Sequence, residues 1–297
     1  MATALTNTVF DHTTDAAYRA AAVEMRDLLL TGGTLAQTAD TGQFDFASAV
    51  RPASNTDSAP LILGFTDALQ ATAPYFFAFY FGSGSSVNVP RYRMAIGTGT
   101  TGAGALTGVI LTATIMGPIP HSSAATTASE SAACGLPGEI CVAHKSGAAL
   151  GGGSQPVLAN LLGLSRTLSH AGVHTDEGLV VYLGGSFGEM QCRTFRRLAP
   201  TVFGPTNLSC LITYGTTTSV AAGGERQVYA HASALPDTRP VAQFVTAVAA
   251  ETPAGTIFLA QPPGTASPRT YRSLGPRVAT PGAGADLSSH ALCQAWQ

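Results

Sequence analysis

Residues 91–117, RYRMAIGTGTTGAGALTGVILTATIMG, admit two readings with opposite consequences. Gly97 to Gly102 match G-x-G-x-x-G, the turn that cradles a dinucleotide pyrophosphate. That turn needs its last glycine to open a helix, and an acidic residue about 20 positions on for the ribose. Here two more glycines and then β-branched residues follow, and the next acidic residue is Glu130, in a stretch that reads as loop. No helix is expected at Gly102. The stretch predicts an antiparallel hairpin between RYRMAI and LTGVILTATI, with glycines supplying the positive φ angles of its tip.

Working outward, APLILGFTDA (59–68) and PYFFAFYFGSG (74–84) are rich in aromatic and branched residues and read as strands. The PYFFAFYF run is almost wholly apolar, as a central strand buried on both faces would be. One clear helix precedes them. In HTTDAAYRAAAVEMRDLLLTGG (12–33), Tyr18, Ala22, Met25 and Leu29 recur at helical spacing, Thr14 or Asp15 is placed to cap, and Gly32 with Gly33 ends the run. Between helix and strands, LAQTADTGQFDFASAVRPASNT (35–56) is a polar, turn-rich excursion that interleaves Gln43, Asp45 and Ser48 with Phe44 and Phe46.

Beyond the hairpin, PHSSAATTASESAACGL (120–136) is small, polar and without periodicity, as a linker or long loop is. From EICVAHK (139–145) to HALCQAWQ (290–297) short strands alternate with breakers. The fold class expected is mainly β with one N-terminal amphipathic helix. A small α+β module over residues 1–120 precedes an antiparallel β-sandwich or jelly-roll-like domain over residues 121–297.

Charged residues make up 11% of the 297-residue chain, with a formal net charge of −2, against about 25% charged in typical soluble proteins. Such a surface neither attracts nucleic acid nor repels its neighbours, which suits a chain covered by partner subunits; a secreted enzyme with a Thr/Ser-rich surface is the alternative. No window has the roughly 18 apolar residues of a membrane span. MATALTNTVFDHTTD has neither the basic nor the apolar segment of a signal peptide. Cys134, Cys141, Cys192, Cys210 and Cys293 are too widely spaced for a disulfide framework or a metal knuckle and read as buried thiols. Cys134 and Cys141, bracketing GLPGEI, are near enough to close a small loop, but a reducing cytoplasm keeps them apart.

Three clusters are candidates for chemistry. GGSFG (184–188) fits the nucleophile elbow, with Ser186, Asp237 and His290 in the expected order, which makes a serine hydrolase one alternative function. The elbow needs a helix after it, whereas MQCRTFRRL (190–198) alternates as a strand does. His170, His174, Asp176 and Glu177 have metal-like spacing, but Gly172 between the histidines argues for a hairpin, where the imidazoles do not converge. Arg193, Arg196 and Arg197 are the densest basic cluster, read as a strand face or subunit contact. No catalytic, cofactor-binding or metal-binding residue is assigned, and no cofactor is expected.

The segments DAAYRAAAVEMRDLLL, QTADTGQFDFASAVRPASNT, FTDALQATAPYFFAFYFGSG and IGTGTTGAGALTG, in that order, resemble the N-terminal half of a group of structural proteins of tailed bacteriophages. RTYRSLGP and ALCQAWQ near the C-terminus are similar to the closing segment of that group. The likeness covers residues 10–108 and about the last 30. It implies a non-enzymatic virion component of the tail, baseplate or fibre-attachment collar, assembled in the host cytoplasm. Its partners would be copies of itself and other virion proteins, including tail fibre or tail tube. A host-receptor or glycan-binding module of the virion is a further alternative.

Overall fold

A computed structural model describes residues 2–8, 12–84, 86–88, 90–115, 129–146, 157–184, 190–199, 202–204, 216–221, 224–233, 241–248, 252–253, 255–261, 265, 267–276 and 290–296. The chain opens with strand β1 (Ala2–Thr8) and helix α1 (Asp15–Leu29). Thr14 is the helix cap, its hydroxyl accepting from the Ala17 N–H at 3.1 Å, and Gly32 and Gly33 follow the last turn as expected. The apolar face carries Tyr18, Ala21, Ala22, Met25, Leu28 and Leu29, all buried.

Strands β2 (Leu35–Gln37), β3 (Pro60–Phe65), β4 (Phe76–Ser83), β5 (Pro90–Gly97) and, beyond the small ribbon of β6 (Gly99–Thr100) with β7 (Leu106–Thr107), β8 (Leu111–Ile115) follow. They form an antiparallel sheet in the order β2-β3-β4-β5-β8, with β4 at its centre. Phe77, Phe79 and Phe81 of β4 are buried on the face toward α1, while Phe76 and Tyr80 on the other face are half-buried beside Leu106 of the ribbon.

A seven-stranded antiparallel sheet combines β1 with β9 (Ser129–Leu136), β10 (Glu139–Ser146), β11 (Val157–Leu168), β12 (His174–Gly184), β13 (Met190–Ala199) and β14 (Val202–Gly204), in that order. Part of the stretch expected as linker, residues 129–136, is therefore strand, and Glu130 lies on it rather than in a loop. Its residues have poor strand propensity. They are held extended because β1 pairs along one side, from Ala2 opposite Gly135 to Thr8 opposite Ser129, and β10 along the other.

Strands β15 (Thr216–Ala221), β16 (Gly224–Ser233), β17 (Val241–Val248), β18 (Ile257–Ala260), β19 (Arg269–Pro276) and β20 (His290–Ala295) make a six-stranded antiparallel sheet ordered β15-β16-β17-β20-β19-β18. Among the described residues the fold is thus mainly β, in antiparallel sheets, with one α-helix.

Two hydrophobic layers stack these parts. In the first, α1 shares a core with Leu61, Phe77 and Met94 of the five-stranded sheet and with Ala133, Ile140, Val142, Leu164 and Val181 of the seven-stranded sheet. In the second, residues of opposite parity on that central sheet, including Ala132, Cys141, Val180 and Tyr182, meet Phe244, Val245, Cys293 and Trp296. The central sheet is therefore covered on both faces. Strand β1 and the first core both cross the division expected at residue 120.

Candidate functional site

The stretch that suggested a phosphate cradle is a hairpin: β5 and β8 pair antiparallel, from Arg93 opposite Ile115 to Ile96 opposite Leu111, and β6 and β7 continue above them as a ribbon. No helix begins at Gly102. The tip nonetheless holds an anion, one supplied by the chain itself. Burial works against ionisation of Asp40, but the nearby Thr38 and Thr100 hydroxyls and the Gly102 and Gly104 backbone N–H groups outweigh it, holding the carboxyl below its ordinary range. Thr41 N–H and the Thr41 hydroxyl donate to Gly102 O at 3.0 and 3.2 Å, so the two loops are stitched together.

Gln43 organises the excursion that carries Asp40. Its side-chain N–H groups donate to Thr38 O at 2.8 Å and Asp40 O at 3.0 Å, and its Oε1 accepts from the Ile62 N–H at 2.8 Å. The polar stretch is thereby a knot fastened to β3, with Phe44 driven into the aromatic group of Tyr18 and Phe81. Asp45 accepts from the Ala47 and Ser48 N–H groups in a local turn.

The densest ionic site lies around the β9–β10 turn at Pro137–Gly138. Arg166 of β11 is fully buried and donates to Asp67 Oδ2 at 2.6 Å, Ala73 O at 2.9 Å and Gln70 Oε1 at 3.2 Å. Its guanidinium also lies over the rings of Phe65 and Tyr75, 4.9 and 5.2 Å from their centroids. These partners all come from the end of β3 and the segment with a 3₁₀ turn that joins it to β4, so one cation ties two sheets together.

On the other side of the turn Arg269 of β19 grips Glu139 of β10 in a bidentate pair, Nη1 to Oε1 at 2.7 Å and Nη2 to Oε2 at 2.8 Å. Burial raises the Glu139 pKa, but Arg269 first, then His174 and Gln243, bring it below the ordinary carboxylate range. Gln243 reaches from β17 to donate to Ile140 O at 3.0 Å and Leu164 O at 3.3 Å, and Gln294 from β20 donates to Ala132 O at 3.2 Å and Cys141 O at 3.1 Å. A polar layer thus fastens the six-stranded sheet to the central one. Neither Arg166 nor Glu139 stood out in the sequence, because a lone Arg in LSRTL or Glu in PGEI carries no spacing signal.

Chemically, the charges pair within the chain, while Asp67 Oδ1, Gln243 Oε1 and Gln294 Oε1 take no hydrogen bond among the described residues. Each cation is matched to a carboxylate or carbonyls, leaving the guanidiniums directed at the protein rather than at an opening, and among the described residues no three His, Cys, Asp or Glu side chains gather as a metal site.

Ser186 and Asp237 lie outside the described residues, and His290 begins β20, its backbone opposite Val248. The segment holding GGSFG connects β12 to β13, which pair antiparallel with Gly184 opposite Met190. A strand therefore stands where the nucleophile elbow requires a helix. His170 and His174 sit on the β11–β12 hairpin, closed by Gly172 N–H to Ser169 O and Ser169 N–H to Val173 O, both 2.8 Å. Arg193, Arg196 and Arg197 are on β13; Arg196 is exposed, and Arg197 donates to Thr72 O at 2.8 Å within the chain. Cys134, Cys141 and Cys293 are buried and not in disulfides, whereas the Cys192 side chain and Cys210 lie outside the described set.

No family model, curated protein or solved structure matches this chain.

Proposed function

We propose that this protein is a non-enzymatic structural subunit of a tailed-bacteriophage virion, of its tail, baseplate or fibre-attachment collar, acting through assembly with copies of itself and other virion proteins. The observation that carries the reading is how the buried charge is spent: Arg166, Asp67, Glu139 and Arg269 brace sheet against sheet. A subunit that transmits load needs such bracing, and a charge content of 11% leaves an outer surface suited to close packing. Ile257 and Leu259, 55% and 47% exposed on edge strand β18, are apolar surface of the kind a neighbour covers. The ordered segments over residues 15–108 add the resemblance to phage structural proteins. In the same reading residues 1–120 form the assembly module, whose first strand β1 joins the seven-stranded sheet, and residues 121–297 a β-sandwich-like domain built from the rest of that sheet and the six-stranded one.

The test is to purify the chain and mix it with particles lacking it. Incorporation into the tail, seen as density in a particle map, is the expected result. A stable monomer that ignores phage particles sinks the proposal, as does Ser186-dependent labelling by a fluorophosphonate probe.

A further inference from the structure

We propose that Cys134 and Cys141 form a latent disulfide site, two thiols that close into one cross-strand bond when a peroxide reaches them. They stand directly opposite each other on β9 and β10. Both side chains belong to the core on the six-stranded-sheet side, so they project from the same face. Directly opposed residues of an antiparallel pair have Cα atoms about 4.5–5.5 Å apart, inside the range a disulfide spans. The backbone needs no rearrangement for the bond to form.

The two sulfurs differ in a way that assigns their roles. The Cys141 Sγ lies 3.7 Å from Cys134 O and 3.5 Å from Ala295 O, and the Cys141 thiol beside the Cys134 sulfur lowers the Cys134 pKa despite burial. Burial, and then the neighbouring Cys134 sulfur, pushes the Cys141 thiol up. Cys134 is therefore the nucleophile and Cys141 the resolving thiol. The Cys134 thiolate attacks one peroxide oxygen, the O–O bond breaks, and the departing hydroxide takes a proton to leave as water. The Cys141 sulfur then attacks the Cys134 sulfenic acid; the S–O bond breaks, the S–S bond forms, and the second water carries away the Cys141 proton. Two thiols supply two electrons to one peroxide.

The C-terminal strand covers the pair. Cys134 Sγ lies 3.2 Å from Trp296 O and Cys141 Sγ 3.5 Å from Ala295 O, while Gln294 donates to Cys141 O. Closure of the disulfide removes both S–H donors from the carbonyls of Ala295 and Trp296. Cys293, the third thiol of this core, stands on β20 opposite Val245 and Ser273 rather than opposite either member of the pair.

Hydrogen peroxide treatment of the full, reduced chain, followed by thiol titration after unfolding and peptide mapping, tests the proposal independently of any role in a virion. The expected result is loss of two of the five thiols and an internal bridge between Cys134 and Cys141. In Cys141→Ser the Cys134 sulfenic acid persists and is trapped by dimedone, whereas in Cys134→Ser position 141 is not labelled. A bridge that includes Cys293, Cys192 or Cys210 overturns the proposal. So does retention of all five thiols under conditions that oxidise the unfolded chain.

Discussion

Arg166 shows how much a single buried side chain can hold. With Asp67, Gln70 and the Ala73 carbonyl each accepting from one of its nitrogens and two aromatic rings against its plane, the guanidinium's desolvation is compensated only while all partners stay in place. Arg166→Met leaves the Asp67 carboxylate without its counter-ion and is expected to cost about 3–5 kcal/mol, read as a lower urea midpoint at unchanged slope. Adding Asp67→Leu removes the stranded charge and should recover part of that loss; a double variant weaker than the sum of the singles contradicts the coupling. Glu139 gives a pH signature. Its folded pKa lies below the value of about 4.3 in an unfolded chain, so its ionised form stabilises the fold above that pH. The contribution is lost as the pH falls through the lowered value. Acid titration of stability should therefore be shallower in Glu139→Gln than in the wild-type chain below about pH 4.3; superimposable profiles would show that the pair with Arg269 adds nothing.

Individual elements differ in how openly the sequence announces them. Helix α1 is legible because Tyr18, Ala22, Met25 and Leu29 repeat at helical spacing and Thr14 caps it, and β4 because PYFFAFYF has no other place than a core. The hairpin at residues 91–115 follows from its glycines, although their second task does not. Gly102 and Gly104 have similar positive φ, +76° and +79°, but a Cβ on Gly102 meets nothing within 4 Å, whereas on Gly104 it would come within 2.9 Å of Thr41 O. Gly102→Ala should therefore cost about 1–2 kcal/mol from left-handed backbone alone. Gly104→Ala should cost more, because its Cβ also pushes against the Thr41 and Gly42 carbonyls of the facing loop. Equal melting temperatures for the two variants would refute the loop-on-loop stitching. Strand β9 escaped the sequence reading for a physical reason: Ser131, Ala132, Ala133 and Cys134 carry almost no intrinsic signal and become strand only because β1 and β10 enclose them. The ionic site around Pro137–Gly138 was illegible too, since its members stand at positions 67, 139, 166 and 269 and meet only through the stacking of sheets.

At the scale of the whole molecule, the chain closes its architecture with its own N-terminus. Residues 2–8 form an edge strand of the central sheet, and the helix that follows is buried between that sheet and the five-stranded one. Sequence order therefore does not predict spatial order: the first strand pairs with residues 129–135, and Gln294, near the last residue, bonds to the same β9 strand through Ala132 O. One small-residue strand is thus fastened at its edge by the start of the chain and on its face by the end. Removing residues 1–9 should bare the backbone donors and acceptors of β9 as an open edge, a template for pairing with another chain. The expected outcome is a lower thermal midpoint together with a concentration-dependent rise in mass by light scattering relative to the full chain. A synthetic ATALTNT peptide should reverse the rise by occupying the edge as an added strand. A shortened chain that melts and sediments like the full one would mean that β9 is held by β10 and Gln294 alone, and that the N-terminal strand is dispensable to the central sheet.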